Sequence, residues 1–188
     1  MSLATSRTAF ARDSRLSLAG AVGFAVALAA ASHVAIPVPG TPVPFTLQPV
    51  VVVLAGIWLG PVYGAASMLL YIAAGIAGFP VFAPMGAPGI ARLIGPAAVT
   101  GGYILAYPVA AFVAGRVVAR RATFAWRVAA AAGGIAIIHL GGVAQLALIT
   151  GSLASALALG LKPFIVFDLL KALVAGLAAP TWSDRATD

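Results

Sequence analysis

The chain has 188 residues, 62% of them hydrophobic and 8% charged, with a mean hydropathy of +1.09. A soluble domain of this size presents charges at about a quarter of its positions, so most of this surface must face lipid rather than water. Cysteine and glutamate are absent, which excludes a disulfide framework or thiolate metal site and leaves four aspartates and two histidines for acid–base chemistry.

No charged residue occurs between Arg15 and Arg92, a run far longer than one bilayer crossing of about 20 residues. The chain must cross repeatedly within it. The first apolar block runs from Leu16 to about Ile36 behind Arg7, Arg12 and Arg15, and its length suits a membrane span better than a cleavable leader. Pro37, Pro39, Pro42 and Pro44 then impose an extended or turned loop, because proline lacks a backbone donor and breaks helices. A short second span covers about Leu47 to Leu59. Gly60-Pro61 punctuates it, and a third runs from about Val62 to Gly78. Residues 79–96 are rich in proline and glycine and form a long loop containing Arg92. The fourth span runs from about Ala97 to Val118, the fifth from about Val128 to Thr150, and the sixth opens at Gly160-Leu161-Lys162-Pro163 and ends near Pro180.

These spans define an all-α integral membrane protein, a compact bundle of six transmembrane helices. Residues 1–15 form an N-terminal tail, 16–182 a single six-helix domain and 183–188 a C-terminal tail. Six spans put both termini on one side, together with Arg7, Arg12, Arg15, Arg116, Arg120, Arg121, Arg127 and Arg185; the other side receives only Arg92 and Lys162. The excess of cations places the termini in the cytoplasm and the chain in the cytoplasmic (inner) membrane. The net charge of +7 is therefore a topology signal rather than a nucleic-acid footprint.

Asp168 and Lys171 stand three residues apart, hence on one helical face, inside an otherwise apolar span. Each charge costs about 2.5–3.5 kcal/mol at mid-membrane on insertion scales, so the pair should face the bundle interior. Its plain reading is an ion pair that fixes packing; its functional reading is a site for a small polar ligand, the aspartate accepting from N–H groups and the lysine donating to a carboxylate or carbonyl. Arg92, on the same side, is either a second cationic contact or an interfacial arginine reaching water. The loop Pro39, Gly40, Thr41, Pro42, Val43, Pro44, Phe45, Thr46 to Gln48 reads as a lid or a rigid connector, with Thr41, Thr46 and Gln48 offering hydrogen bonds and Phe45 an apolar face. Tyr71, Tyr103 and Tyr107 are candidates for a cavity wall, although an interfacial anchor is the plainer role for each taken singly. Ala21, Ala25 and Ala29 form a small-residue stripe suited to helix–helix contact. His33 and His139 stand isolated, with no metal-ligand cluster, and the absence of GxxxxGK[ST] excludes a P-loop ATPase.

The string Pro39-Gly40-Thr41-Pro42-Val43-Pro44-Phe45-Thr46-Leu47-Gln48 resembles the signature of the BioY family, the biotin-specific S components of energy-coupling-factor (ECF) transporters. The resemblance continues through Leu59-Gly60-Pro61, Leu70-Tyr71, Gly78-Phe79-Pro80-Val81-Phe82 and Thr100-Gly101-Gly102-Tyr103 to Phe167-Asp168-Leu169-Leu170-Lys171-Ala172. Where the family commonly has Gly-Pro-Thr-Gly-Gly-Tyr, Ala97-Ala98-Val99 here separate Gly95-Pro96 from Thr100. The resemblance implies the S-component fold and biotin as the transported ligand, with no further cofactor. It implies Asp168 and Lys171 as ligand contacts under a closing first loop; Arg92, Tyr103, Phe45 and Gln48, read from their own chemistry above, complete the expected substrate contacts. As partners it implies a transmembrane T component docking on Ala21, Ala25 and Ala29 and a pair of ATPases supplying energy, or a homo-oligomer acting without them. The competing readings are an S component for another vitamin and a membrane scaffold in which Asp168–Lys171 is purely structural. An intramembrane enzyme would need a nucleophile–base pair or metal that these residues do not assemble.

Overall fold

The computed structural model describes residues 3–121 and 123–178, and for residues 3–16 the backbone alone. The predicted C-terminal tail 183–188 lies outside the described residues, as does the predicted end of the sixth span beyond residue 178. Helix α1 spans Leu3–His33, α2 Gln48–Ile76, α3 Gly101–Arg120, α4 Phe124–Thr150, α5 Leu153–Gly160 and α6 Ile165–Ala178. Two short strands, β1 (Ala35–Ile36) and β2 (Phe45–Thr46), and a 3-10 turn at Gly89–Arg92 complete the described elements.

Helix α2 holds the predicted second and third spans, folded back on each other. Gly60 has φ 80 and ψ 176 inside it, a conformation open essentially to glycine alone. Pro61 follows with its fixed φ and missing N–H, suited to a first helical position. The reversal is established by what the two arms touch. Gln48 Nε2 donates to Tyr71 Oη at 3.0 Å across 23 residues, a separation that a straight helix would stretch to about 34 Å. A methyl placed on Gly64 would lie 2.6 Å from the Gly56 Cα. Residues 48–59 and 61–76 are therefore antiparallel arms, and each alone is shorter than the hydrocarbon core of about 30 Å.

Other boundaries follow from local chemistry. Helix α1 stops at His33, before the predicted Ile36, and Ala35–Ile36 instead pair antiparallel with Phe45–Thr46, closing the proline-rich loop into a hairpin. Helix α3 starts at Gly101 rather than Ala97, because the three extra residues are taken up in turns: Ala98 N–H donates to Gly95 O at 3.1 Å and Gly101 N–H to Ala98 O at 3.0 Å. Helix α4 ends at Gly151 with φ 67, a left-handed cap. The sequence does not announce α5. Ser152 caps it by accepting from Ser155 N–H at 3.2 Å, and α5 and α6 meet at a bend of 54° over Leu161–Phe164 to form one broken span.

The core lies between the arms of α2, α3 and α4, where Val52, Ala55, Met68, Tyr71, Ala110, Ala111, Ile138 and Leu146 are buried together. A second cluster of Val53, Ile57, Ala114, Val118, Ala131 and Ala175 lies nearer the opposite end. The outer surface is apolar as well: Leu140, Leu148, Val166 and Leu177 are each more than 70% exposed. With α3 and α4 each apolar and long enough to cross a bilayer, and the arms of α2 apolar beside them, the chain is a multi-pass membrane protein. The predicted partner-facing alanine stripe turns inward. Ala21 and Ala25 are buried and Ala29 is half-buried, while Leu18, Val22 and Val26 take the outward face.

Candidate functional site

Three segments distant in sequence meet at one end of the bundle: the first loop, the Arg92 loop and the α5–α6 bend. Thr41 Oγ1 donates to Leu159 O at 2.6 Å, tying the first loop to α5 across 118 residues, and Val43 N–H donates back to Thr41 Oγ1 at 3.1 Å. The loop carries four prolines, so few internal backbone bonds can hold it; the threonine tether and the β1–β2 pairing hold it in place. The Arg92 loop is fixed to α1 by Ser32 Oγ, which donates to Val81 O at 2.6 Å.

Beneath these segments lies a cavity of about 60 Å³ lined by Val43, Pro44, Thr46 and Gln48 from the first loop, Tyr71 from α2, Arg92, Thr100, Tyr103 and Tyr107 from α3 and its approach, and His139, Phe164, Asp168 and Lys171. Sites for small molecules usually measure about 300–1,000 Å³, so the cavity must widen to admit a ligand of ordinary size. Asp168 and Lys171 face inward and are 7% exposed, and Lys171 Nζ donates to Asp168 Oδ1 at 2.9 Å. The i,i+3 spacing read from sequence is thus a real contact in a buried setting. An ammonium carries three donors and Asp168 takes one, while the Phe45 ring stacks with its centroid 4.2 Å from Nζ.

Arg92 is 5% exposed, so the interfacial reading fails. Its guanidinium donates to three backbone carbonyls of its own loop, to Ala87 O at 3.0 Å, to Ala83 O at 2.5 Å and to Met85 O. A guanidinium has five N–H donors, so this clamp shapes the loop and still leaves capacity toward the cavity. Burial lowers the Arg92 pKa from its ordinary value.

Five of the six predicted substrate contacts, Asp168, Lys171, Arg92, Tyr103 and Gln48, line the cavity. Phe45 does not; it backs Lys171 and packs edge-on against Phe167 at 5.2 Å. The plainer reading of the tyrosines as interfacial anchors is also corrected, since Tyr71, Tyr103 and Tyr107 are all buried in the lining. Tyr103 Oη donates to Gly160 O at 2.7 Å, and its ring passes so close to α4 that a methyl on Gly142 would lie 2.2 Å from it. His139 is not isolated: it lines the cavity with Nε2 2.5 Å from Asp168 Oδ2. No local pattern could have paired it with a residue 29 positions away.

Comparison with known proteins adds an independent finding. A model of the BioY family matches residues 5–188. The chain is 39% identical over 144 residues to the biotin transporter BioY of Thermotoga maritima, covering 77% of this chain and 83% of that protein. It is 44% identical over 140 residues to the probable biotin transporter BioY of Pyrococcus horikoshii, covering 73% and 79%. Its fold is similar to the crystal structure of the S-component for biotin from an ECF-type ABC transporter, with a TM-score of 0.79, 24% identity and 94% of each chain covered.

Proposed function

The chain belongs to the BioY family, and from that premise we propose that it binds biotin in the cavity beneath the first loop and serves biotin uptake as the S component of an ECF transporter. The observation that carries this reading is the inward-facing Asp168–Lys171 pair set in an apolar, tyrosine-lined chamber. Biotin has ureido N–H donors that a carboxylate such as Asp168 accepts, an apolar bicycle that suits Val43, Ile138 and Phe164, and oxygens that Lys171 and Arg92 can meet. Gln48 and Tyr103 supply further polar contacts, and the loop from Pro39 to Thr46 acts as the lid.

The energy for release comes from elsewhere, since the sequence holds no P-loop motif. The partners are a transmembrane T component and two ATPase subunits in the cytoplasmic membrane, with a homo-oligomer as the alternative assembly. A T component docking on α1 would meet Leu18, Val22 and Val26 rather than the inward alanine stripe.

Isothermal titration of the detergent-purified chain with biotin, with other vitamins as competitors, tests the substrate. Stoichiometric binding that other vitamins do not displace supports it; displacement by another vitamin at lower concentration assigns the site to that vitamin instead. The scaffold reading is tested separately, because a buried ion pair that only fixes packing tolerates replacement by an apolar pair. Undiminished biotin uptake by an Asp168→Leu/Lys171→Met double variant would favour it.

A further inference from the structure

Asp168 is held from two sides, and its second partner carries chemistry that the Asp168–Lys171 pair lacks. His139 Nδ1 lies 3.1 Å from Gly160 O, and a carbonyl can only accept, so Nδ1 bears a hydrogen. His139 Nε2 lies 2.5 Å from Asp168 Oδ2, while Asp168 Oδ1 accepts from Lys171. If Asp168 is ionised, Nε2 must also bear a hydrogen; if the ring is neutral, the carboxyl must supply that hydrogen. Both assignments count the same. The Asp168–His139 pair holds one proton more than a carboxylate beside a neutral imidazole, and without it two lone pairs would face each other across 2.5 Å.

We propose that His139 is a positioning residue for Asp168 and that the proton shared by this pair makes capture of a carboxylate-bearing ligand proton-linked. With the proton in place the pair is neutral, and Lys171 and Arg92 give the lining two net positive charges; its loss cancels one of them. The titratable and charged groups around the ring, among the described residues, are Asp168 and Lys171 on α6, Tyr103 and Tyr107 on α3, Tyr71 on α2 and Arg92 in its loop. On its other side the pair borders an apolar groove of about 360 Å³ between α4, α5 and α6, lined by Ile135, Leu140, Leu161 and Leu169. Water therefore screens the pair weakly, and a lost charge is felt strongly by an anion in the cavity. A histidine that only filled space would leave the pH dependence of binding untouched.

The inference rests on biotin, or another carboxylate, being the ligand. The test is isothermal titration of biotin into wild-type and His139→Gln protein from about pH 6 to about pH 9, in buffers of differing ionisation enthalpy. The glutamine amide keeps a donor toward Asp168 but does not titrate in this range. The expected result is a wild-type affinity that falls as pH rises, by up to about tenfold per pH unit for one linked proton, with an observed enthalpy that depends on the buffer. His139→Gln is expected to bind with a flatter profile. Buffer dependence is read on the wild type alone, so it stands even where the variant folds poorly. A wild-type affinity that is flat with pH and buffer-independent overturns the proposal while leaving biotin binding intact. Folded wild type that binds no biotin at any pH removes the functional reading, and this inference with it.

Discussion

At the residue scale, the site is a chain of polar contacts, His139–Asp168–Lys171, with an aromatic ring against the lysine. Lys171→Ala removes the ammonium that bonds Asp168 Oδ1 and stacks on Phe45. Hydrogen bonds to charged groups contribute about 1.5–3 kcal/mol, so biotin affinity should fall roughly tenfold to a hundredfold. Asp168→Asn should show a loss of the same order, because the amide keeps one accepting oxygen and puts a donating NH2 where the carboxylate had the other. Equilibrium binding on monodisperse protein checks both, and wild-type affinity in both variants would remove the pair from the site. Arg92 is different in kind. Its three carbonyl bonds build the loop that carries it, so Arg92→Ala should both weaken binding and speed hydrogen exchange of the amides around Ala83–Arg92. Unchanged exchange would show that the clamp does not shape the loop.

At the scale of elements, the α2 hairpin and the first loop do the positioning. Gly60 lets the arms reverse so that Gln48 and Tyr71 meet at the cavity. A side chain at φ 80 and ψ 176 is strained, and such strain costs of order 1–3 kcal/mol. Gly60→Ala should therefore lower the melting temperature in detergent, whereas Gly133→Ala, whose added methyl meets nothing within 4 Å, should not. Equal melting temperatures would contradict the hairpin geometry. The first loop is tethered through Thr41 Oγ1 to Leu159 O. Thr41→Val keeps the shape and removes a bond of about 1 kcal/mol, so biotin should dissociate about fivefold faster; stopped-flow release measures this, and an unchanged rate would mean that the loop is a connector rather than a lid.

At the scale of the whole molecule, the bundle has two unlike ends. The cavity end gathers the first loop, the Arg92 loop and the α5–α6 bend. The other end holds the α2 reversal, beside which Gly115 packs so closely that a methyl there would lie 2.6 Å from Pro61 N. It also holds the connector where Arg116 and Arg121 lie over Phe112 and Trp126. The concentration of cations at that end predicts that it faces the cytoplasm. The chain has no cysteine, so single substitutions read cleanly: Ile94→Cys should react with an impermeant maleimide in intact cells, and Arg121→Cys only after permeabilisation. The reverse pattern would invert the topology.

Composition and hydropathy alone determined that the chain is a helical membrane protein, because so few charges cannot cover a water-facing surface. The Gly60-Pro61 break, the proline-rich first loop and the Asp168–Lys171 face were legible for the same reason: each rests on chemistry within a few residues of chain. The tertiary structure decided what depends on side chains meeting across the bundle. It brought His139 to Asp168, buried Arg92 among its own carbonyls, moved Phe45 behind Lys171, gathered three tyrosines into one wall and turned the alanine stripe inward. In a chain that is apolar nearly throughout, hydrophobicity does not mark which face of a helix points inward. That choice is made by packing between helices, which no local pattern records.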